Sequence, residues 1–144
     1  MLQFSSWMSE YAVWILWSLS YLTYCMEACM GTYRMYTGED GQTHCEEIDI
    51  SNKPDWVQGL PTNHITFSEA AVGRASEWHT APRRQFVIIL SGQLEIGFGD
   101  GSKMVFGPGD ARLVEDITGK GHTTATHGDV PCVTATVPLR QAGY

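Results

Sequence analysis

The pattern of apolar and polar positions changes character near residue 31. Before that point, residues 11–24 (Tyr-Ala-Val-Trp-Ile-Leu-Trp-Ser-Leu-Ser-Tyr-Leu-Thr-Tyr) form an uncharged, aromatic-rich run. Beyond it, short runs of branched and aromatic residues alternate with turn signals. The runs include His64–Glu69, Gln85–Leu90, Gln93–Phe98, Lys103–Phe106, Ala111–Val114 and Val133–Val137. The punctuation is Gly38-Glu39-Asp40-Gly41, Asn52-Lys53-Pro54-Asp55, Leu60-Pro61-Thr62-Asn63, Gly99-Asp100-Gly101, Gly107-Pro108-Gly109-Asp110 and Gly119-Lys120-Gly121. Such runs read as strands. Asp100-Gly101, between Leu94-Glu95-Ile96 and Met104-Val105-Phe106, is a strong hairpin signal. Many short strands at near-regular spacing predict an all-β sandwich or barrel, with no long helix required after residue 31.

The first thirty residues stand apart. The run at 11–24 is shorter than the ~20 apolar residues a membrane-spanning helix needs. No Lys or Arg precedes Arg34, and Glu10 sits just ahead of the run, which is unlike a secretory leader. A non-native extension, or a helix docked on the barrel or on a partner subunit, ranks ahead of a targeting segment or anchor. Trp7, Trp14 and Trp17 read as a packing face. The organisation expected is an extension at 1–30, one domain at 31–139 and a short tail at 140–144.

Composition narrows the function classes. A length of 144 residues with 43% hydrophobic residues suits one packed domain. A net charge of −7, with no basic run, argues against nucleic acid as a partner. Cys25, Cys29, Cys45 and Cys132 form no C-x-x-C pair, so a zinc ribbon or a thioredoxin-like site has no support. Free thiols in a reducing cytoplasm are the simpler expectation.

The candidate chemistry begins at Gly73–Gly92. Its phrasing places His79 six residues after Gly73 and closes on Gly92, with Ala81 and Gln85 between. It resembles the first motif of the cupin superfamily, G-x5-H-x-H-x3,4-E-x6-G, with Ala81 replacing the second histidine and Gln85 the glutamate. The second motif, G-x5-P-x-G-x2-H-x3-N, is similar only in part. Phe106-Gly107-Pro108-Gly109-Asp110 supplies its turn, and His122 is the best match to its histidine. The resemblance implies a cupin-type double-stranded β-helix, a jelly-roll barrel, with positions 79, 81 and 85 facing the cavity. Residues i and i+2 of a strand share a face, which agrees with that placement.

In cupins these positions commonly hold a divalent metal such as Fe, Mn, Ni or Zn. Here His79, Gln85 and His122 are the metal candidates, with Glu115 or Asp116 as an added carboxylate, and bound metal stands at even odds. Without metal, His79 and His122 would act as acid and base, since imidazole titrates near neutrality. Glu115 or Asp116 would orient a ring, and Arg83 or Arg84 would hold an oxyanion. Trp78, Gln85, Asp116 and Lys120 complete the candidate substrate contacts.

Each residue also has a plainer reading. His79 could bond a backbone carbonyl, Gln85 could be satisfied by the backbone, and Arg83, Arg84, Glu115, Asp116 and Lys120 could be solvated charge. His44, His64 and His127 match no motif. The function expected is isomerase, cyclase or lyase chemistry on a small organic molecule. A metal-dependent dioxygenase and a non-catalytic binding module are the alternatives. A homodimer is the expected assembly, because sheet edges in small jelly rolls are commonly covered by a second copy.

Overall fold

The computed structural model describes residues 30–140. The expectations for the N-terminal extension and the C-terminal tail fall almost wholly outside the described residues. Nine strands carry the described chain: β1 (Thr32–Thr37), β2 (Thr43–Glu47), β3 (Thr66–Ala70), β4 (Gln85–Ser91), β5 (Gln93–Gly97), β6 (Lys103–Phe106), β7 (Ala111–Val114), β8 (Thr123–His127) and β9 (Cys132–Pro138). They form a six-stranded sheet in the order β2-β1-β7-β4-β9-β3 and a three-stranded sheet in the order β6-β5-β8. All pairings are antiparallel except β1 with β7. This is the all-β jelly-roll barrel expected from the strand pattern.

The turns form where the glycines allow. In the β5–β6 hairpin, the Phe98 N–H donates to the Ser102 carbonyl at 2.9 Å and Gly101 takes φ +88°. That hairpin pairs Leu94 with Phe106 and Ile96 with Met104. At the β6–β7 turn, the Asp110 carboxyl accepts the N–H groups of Gly107 and Gly31 at 2.7 and 2.8 Å. One expected turn is different. Asn52-Lys53-Pro54-Asp55 spans the end of a 3-10 turn (Ile50–Asn52) and the start of a short helix, α1 (Pro54–Gln58). Pro54 sits at its first turn, where a missing N–H is harmless.

The alternation of side chains decides what faces inward. On β4, Val87 and Ile89 point between the sheets, while Phe86 packs edge-on against Trp56 of α1 at 4.8 Å on the outer face. Met35, Ile89, Leu94, Ile96, Phe98, Phe106, Val114 and Cys132 make the core. Full burial of a side chain such as Ile89 contributes about 1.5–3 kcal/mol. Leu94, Ile96 and Val114 of this core also line a cavity. Among the described residues, no helix is long and apolar enough to cross a membrane.

Candidate functional site

The cavity measures about 250 Å³. Its walls come from both sheets: Gln85 and Val87 of β4, Arg112 and Val114 of β7, Leu94 and Ile96 of β5, and Thr124 and Thr126 of β8. His79, Ala81 and His122 close one side. His79 and Ala81 therefore do share a face. Their segment is held by single backbone contacts rather than by a full strand. His79 and His122 exchange both backbone hydrogen bonds, at 3.0 and 2.9 Å, and the Ala81 N–H donates to the Asp116 carbonyl at 3.0 Å. Gly121 makes this approach possible. It takes φ +76°, and a Cβ there would overlap the His79 carbonyl.

The two imidazoles lie 4.6 Å apart, centroid to centroid. Each has its Nδ1 engaged. His122, 6% exposed, donates from Nδ1 to Asp116 Oδ2 at 2.5 Å. The Thr43 hydroxyl donates to the same oxygen at 2.8 Å. Asp116 is fully buried, and its Oδ1 has no partner among the described residues. His79 is more exposed, and its Nδ1 donates to the Glu77 carbonyl at 2.8 Å. These partners place a proton on Nδ1 of each ring and leave Nε2 as the nitrogen open to take one up.

The opposite wall carries a charge. Arg112 is 3% exposed, its Nη1 meets the Met35 sulfur at 3.5 Å, and its guanidinium lies 4.5 Å from the Phe106 ring centroid. Burial pushes this guanidinium down to about 10, against the pull of acidic groups including Asp116 and Asp110. It therefore stays protonated near neutrality.

A profile of the cupin domain matches residues 66–138, just over half of the chain. The chain belongs to the cupin family. Three solved structures illustrate the likeness. A Cupin 2 conserved barrel domain protein from Salinispora arenicola is 20% identical, with a TM-score of 0.44 over 54% of this chain and 63% of that one. The polyketide cyclase RemF from Streptomyces resistomycificus is 20% identical, with a TM-score of 0.46 over 76% and 75%. A dTDP sugar isomerase from Desulfovibrio desulfuricans is 20% identical, with a TM-score of 0.42 over 76% of each chain. This cupin spans less than two thirds of the length of the first of these, at 63%. Likenesses this remote speak to fold alone. A search of curated proteins finds no match.

The cupin brings together four of the expected residues, His79, Gln85, Asp116 and His122, but places others elsewhere. Glu115 points away from the cavity and is held by Arg34 Nε and Arg84 Nε, each at 2.7 Å. Burial raises its carboxyl, and the hydrogen bonds from the two arginines outweigh this, leaving it below the usual range. Glu115 and Arg84 thus meet each other at the surface rather than in the cavity. Arg83 is exposed and also absent from the cavity wall. Lys120 Nζ lies 4.7 Å from the centroid of the Trp78 ring, and both side chains are outside the cavity. The polar cavity residues missed from the sequence are Arg112, Arg74, Ser76, Ser68, Thr124, Thr126 and Thr134.

A resident metal ion does not fit this donor set. The cavity offers two imidazole nitrogens and the neutral amide oxygen of Gln85, with Ala81 where the family pattern has a further histidine. Asp116 is committed to the far side of the His122 ring and Glu115 to two arginines, so neither supplies the carboxylate expected of them. No group of three His, Cys, Asp or Glu that could hold a metal occurs among the described residues. Arg112 also puts a positive charge on the lining of the same cavity, and neutral donors do little to offset a divalent cation near it.

Proposed function

We propose that this cupin is a small-molecule enzyme that moves a proton on carbon, in isomerase, cyclase or lyase chemistry. The carrying observation is the buried Asp116–His122 pair on the cavity wall. A carboxyl group behind an imidazole fixes its tautomer and orientation and stabilises the imidazolium formed when Nε2 takes a proton. Burial restricts competing water. His79, at 4.6 Å and nearer the solvent, is the partner that returns the proton or exchanges it with water. Gln85 positions the substrate by hydrogen bonds from the head of β4. The cavity volume of about 250 Å³ lies below the ~300–1,000 Å³ of drug-sized sites, so the substrate is small.

A carboxyl-oriented imidazole would equally suit a metal ligand. The neutral donor set and the nearby Arg112 favour the metal-free reading over a dioxygenase. Protein purified without chelator should carry under a tenth of an equivalent of Fe, Mn, Ni and Zn; a value near one equivalent would reverse the preference.

Deuterium exchange tests the chemistry. Small β-dicarbonyl compounds and α-hydroxy ketones in D2O, followed by proton NMR, should lose α-proton signal in the presence of the enzyme. General acid–base catalysis contributes about 10²–10⁴-fold, so His122→Gln should slow exchange by that order. Exchange no faster than buffer on every compound, or an unimpaired His122→Gln, sinks the proposal and leaves a non-catalytic binding module.

A further inference from the structure

Arg112 is not explained by the fold or by proton transfer. It occupies a position on β7 flanked across the sheet by Tyr33 and Val87, neither of them anionic. Its Nε–H has no acceptor, and among the described residues no carboxylate lies within ion-pair distance of it. A buried guanidinium without an anion is costly to the fold, because its hydration is lost and the Met35 sulfur and Phe106 ring replace it only in part. A ligand could replace it, since Arg112 lines the cavity. Two further features point the same way. Arg74, beside β8 of the other sheet, adds a second guanidinium to the cavity lining, and Thr126 presents a buried hydroxyl without a partner among the described residues.

We propose that the cavity binds a small organic carboxylate, seated on Arg112, with its reacting carbon toward His122. The last clause rests on the proton-transfer reading; the binding does not. The planar guanidinium fork matches a carboxylate with two parallel hydrogen bonds. A carboxylate leaves less charge unmatched than a phosphate dianion would, since Arg112 is the buried cation of the lining and Arg74 is exposed to solvent. Arg74 draws the anion in, and the cavity volume of about 250 Å³ limits the acid to a small one.

The experiment uses the full chain and matched acid–amide pairs: acetate with acetamide, acetoacetate with acetoacetamide, and benzoate with benzamide. Binding is read by calorimetry and by the 15N resonance of Arg112 Nε. At least one acid should bind ten or more times tighter than its amide and shift that resonance. Arg112→Met should erase the preference, and His122→Gln should keep it. The proposal is overturned if no acid binds, if acids and amides bind alike, or if inorganic phosphate binds tighter than every acid. It is also overturned if Arg112→Met retains the preference. Should Arg112→Met fail to fold, an unmoved Nε resonance in the wild type is enough to overturn it. Acid binding without deuterium exchange would remove the proton-transfer reading alone. Exchange of acetoacetate unaffected by Arg112→Met would remove the carboxylate alone.

Discussion

The Asp116 position separates a structural contribution from a chemical one, and two substitutions there should diverge. Asp116 Oδ2 accepts from His122 Nδ1 at 2.5 Å and from the Thr43 hydroxyl at 2.8 Å, and all three residues are buried. Asp116→Ala leaves both donors without an acceptor, at about 1–3 kcal/mol each. Against that, it removes a buried carboxyl group whose Oδ1 is unpartnered, which returns roughly 1–3 kcal/mol. The net expectation is a loss of about 1–3 kcal/mol, or a melting temperature lower by about 3–13 °C for a domain of this size. Asp116→Asn keeps the shape. With its NH2 in the place of Oδ2 it can donate to both His122 Nδ1 and the Thr43 hydroxyl oxygen, leaving its amide oxygen where Oδ1 already lacks a partner, so the cost should stay under about 1 kcal/mol. The amide, however, forces the His122 proton onto Nε2, and the cavity then faces a donor instead of a base. A comparable carboxylate-to-amide change costs about 10⁴-fold in the serine protease triad, so deuterium exchange should fall by a similar order. Thermal melts give the stabilities, and imidazole 15N shifts give the tautomer. An Asn variant as unstable as the Ala variant, or one that keeps the Nδ1–H tautomer, refutes the reasoning.

Three further outcomes follow from the same geometry. Gly121→Ala should lose at least about 1–2 kcal/mol from its left-handed backbone alone, and weaken the proton contacts between the His79 and His122 rings seen by NMR. An unchanged melt would mean the bridge is not as close as described. Glu115 has a depressed carboxyl pKa, so its contribution is present above the ordinary value of 4.5 and is lost as the pH falls through its folded value. Glu115→Gln should therefore be less stable than wild type at pH 7, by under about 1 kcal/mol given the solvent exposure of both arginines, and the gap should close as the pH falls below the ordinary carboxylate range. A gap that widens in acid would contradict the sign. Arg112→Met exchanges a buried unpaired cation for an apolar chain of similar volume and should raise stability by about 1–4 kcal/mol, less what the Phe106 stacking contributes. A lower melting temperature would show that Arg112 is paired in the folded protein.

The outline of the barrel was legible because its turns are written in Gly, Pro, Asn and Asp, and the β5–β6 hairpin needs no distant information. His79 and Gln85 were legible because motif spacing and strand parity agree on them. The assignment of Glu115 and Asp116 was not, since adjacent acids before a loop look interchangeable. Strand parity nonetheless carried the answer. Arg112, Val114 and Asp116 have the same parity, and all three are buried, while Glu115 turns to the surface arginines. Extending the β7 alternation two residues past its end would have singled out Asp116 behind His122 and Arg112 on the cavity wall.

Parity could not say whether Arg112 has a partner. That depends on which strands flank β7, and a parallel neighbour contributed from the start of the domain is invisible in local spacing. Once β1 and β4 are in place, Tyr33 and Val87 stand opposite Arg112, and Asp116 is already taken by His122 and Thr43. The described chain therefore contains the cation, the oriented base and the room for a small molecule, but no anion at ion-pair distance from Arg112. A fold that tolerates an unpaired buried guanidinium gives up stability that an apolar residue would restore. A small carboxylate entering the cavity would supply that compensation.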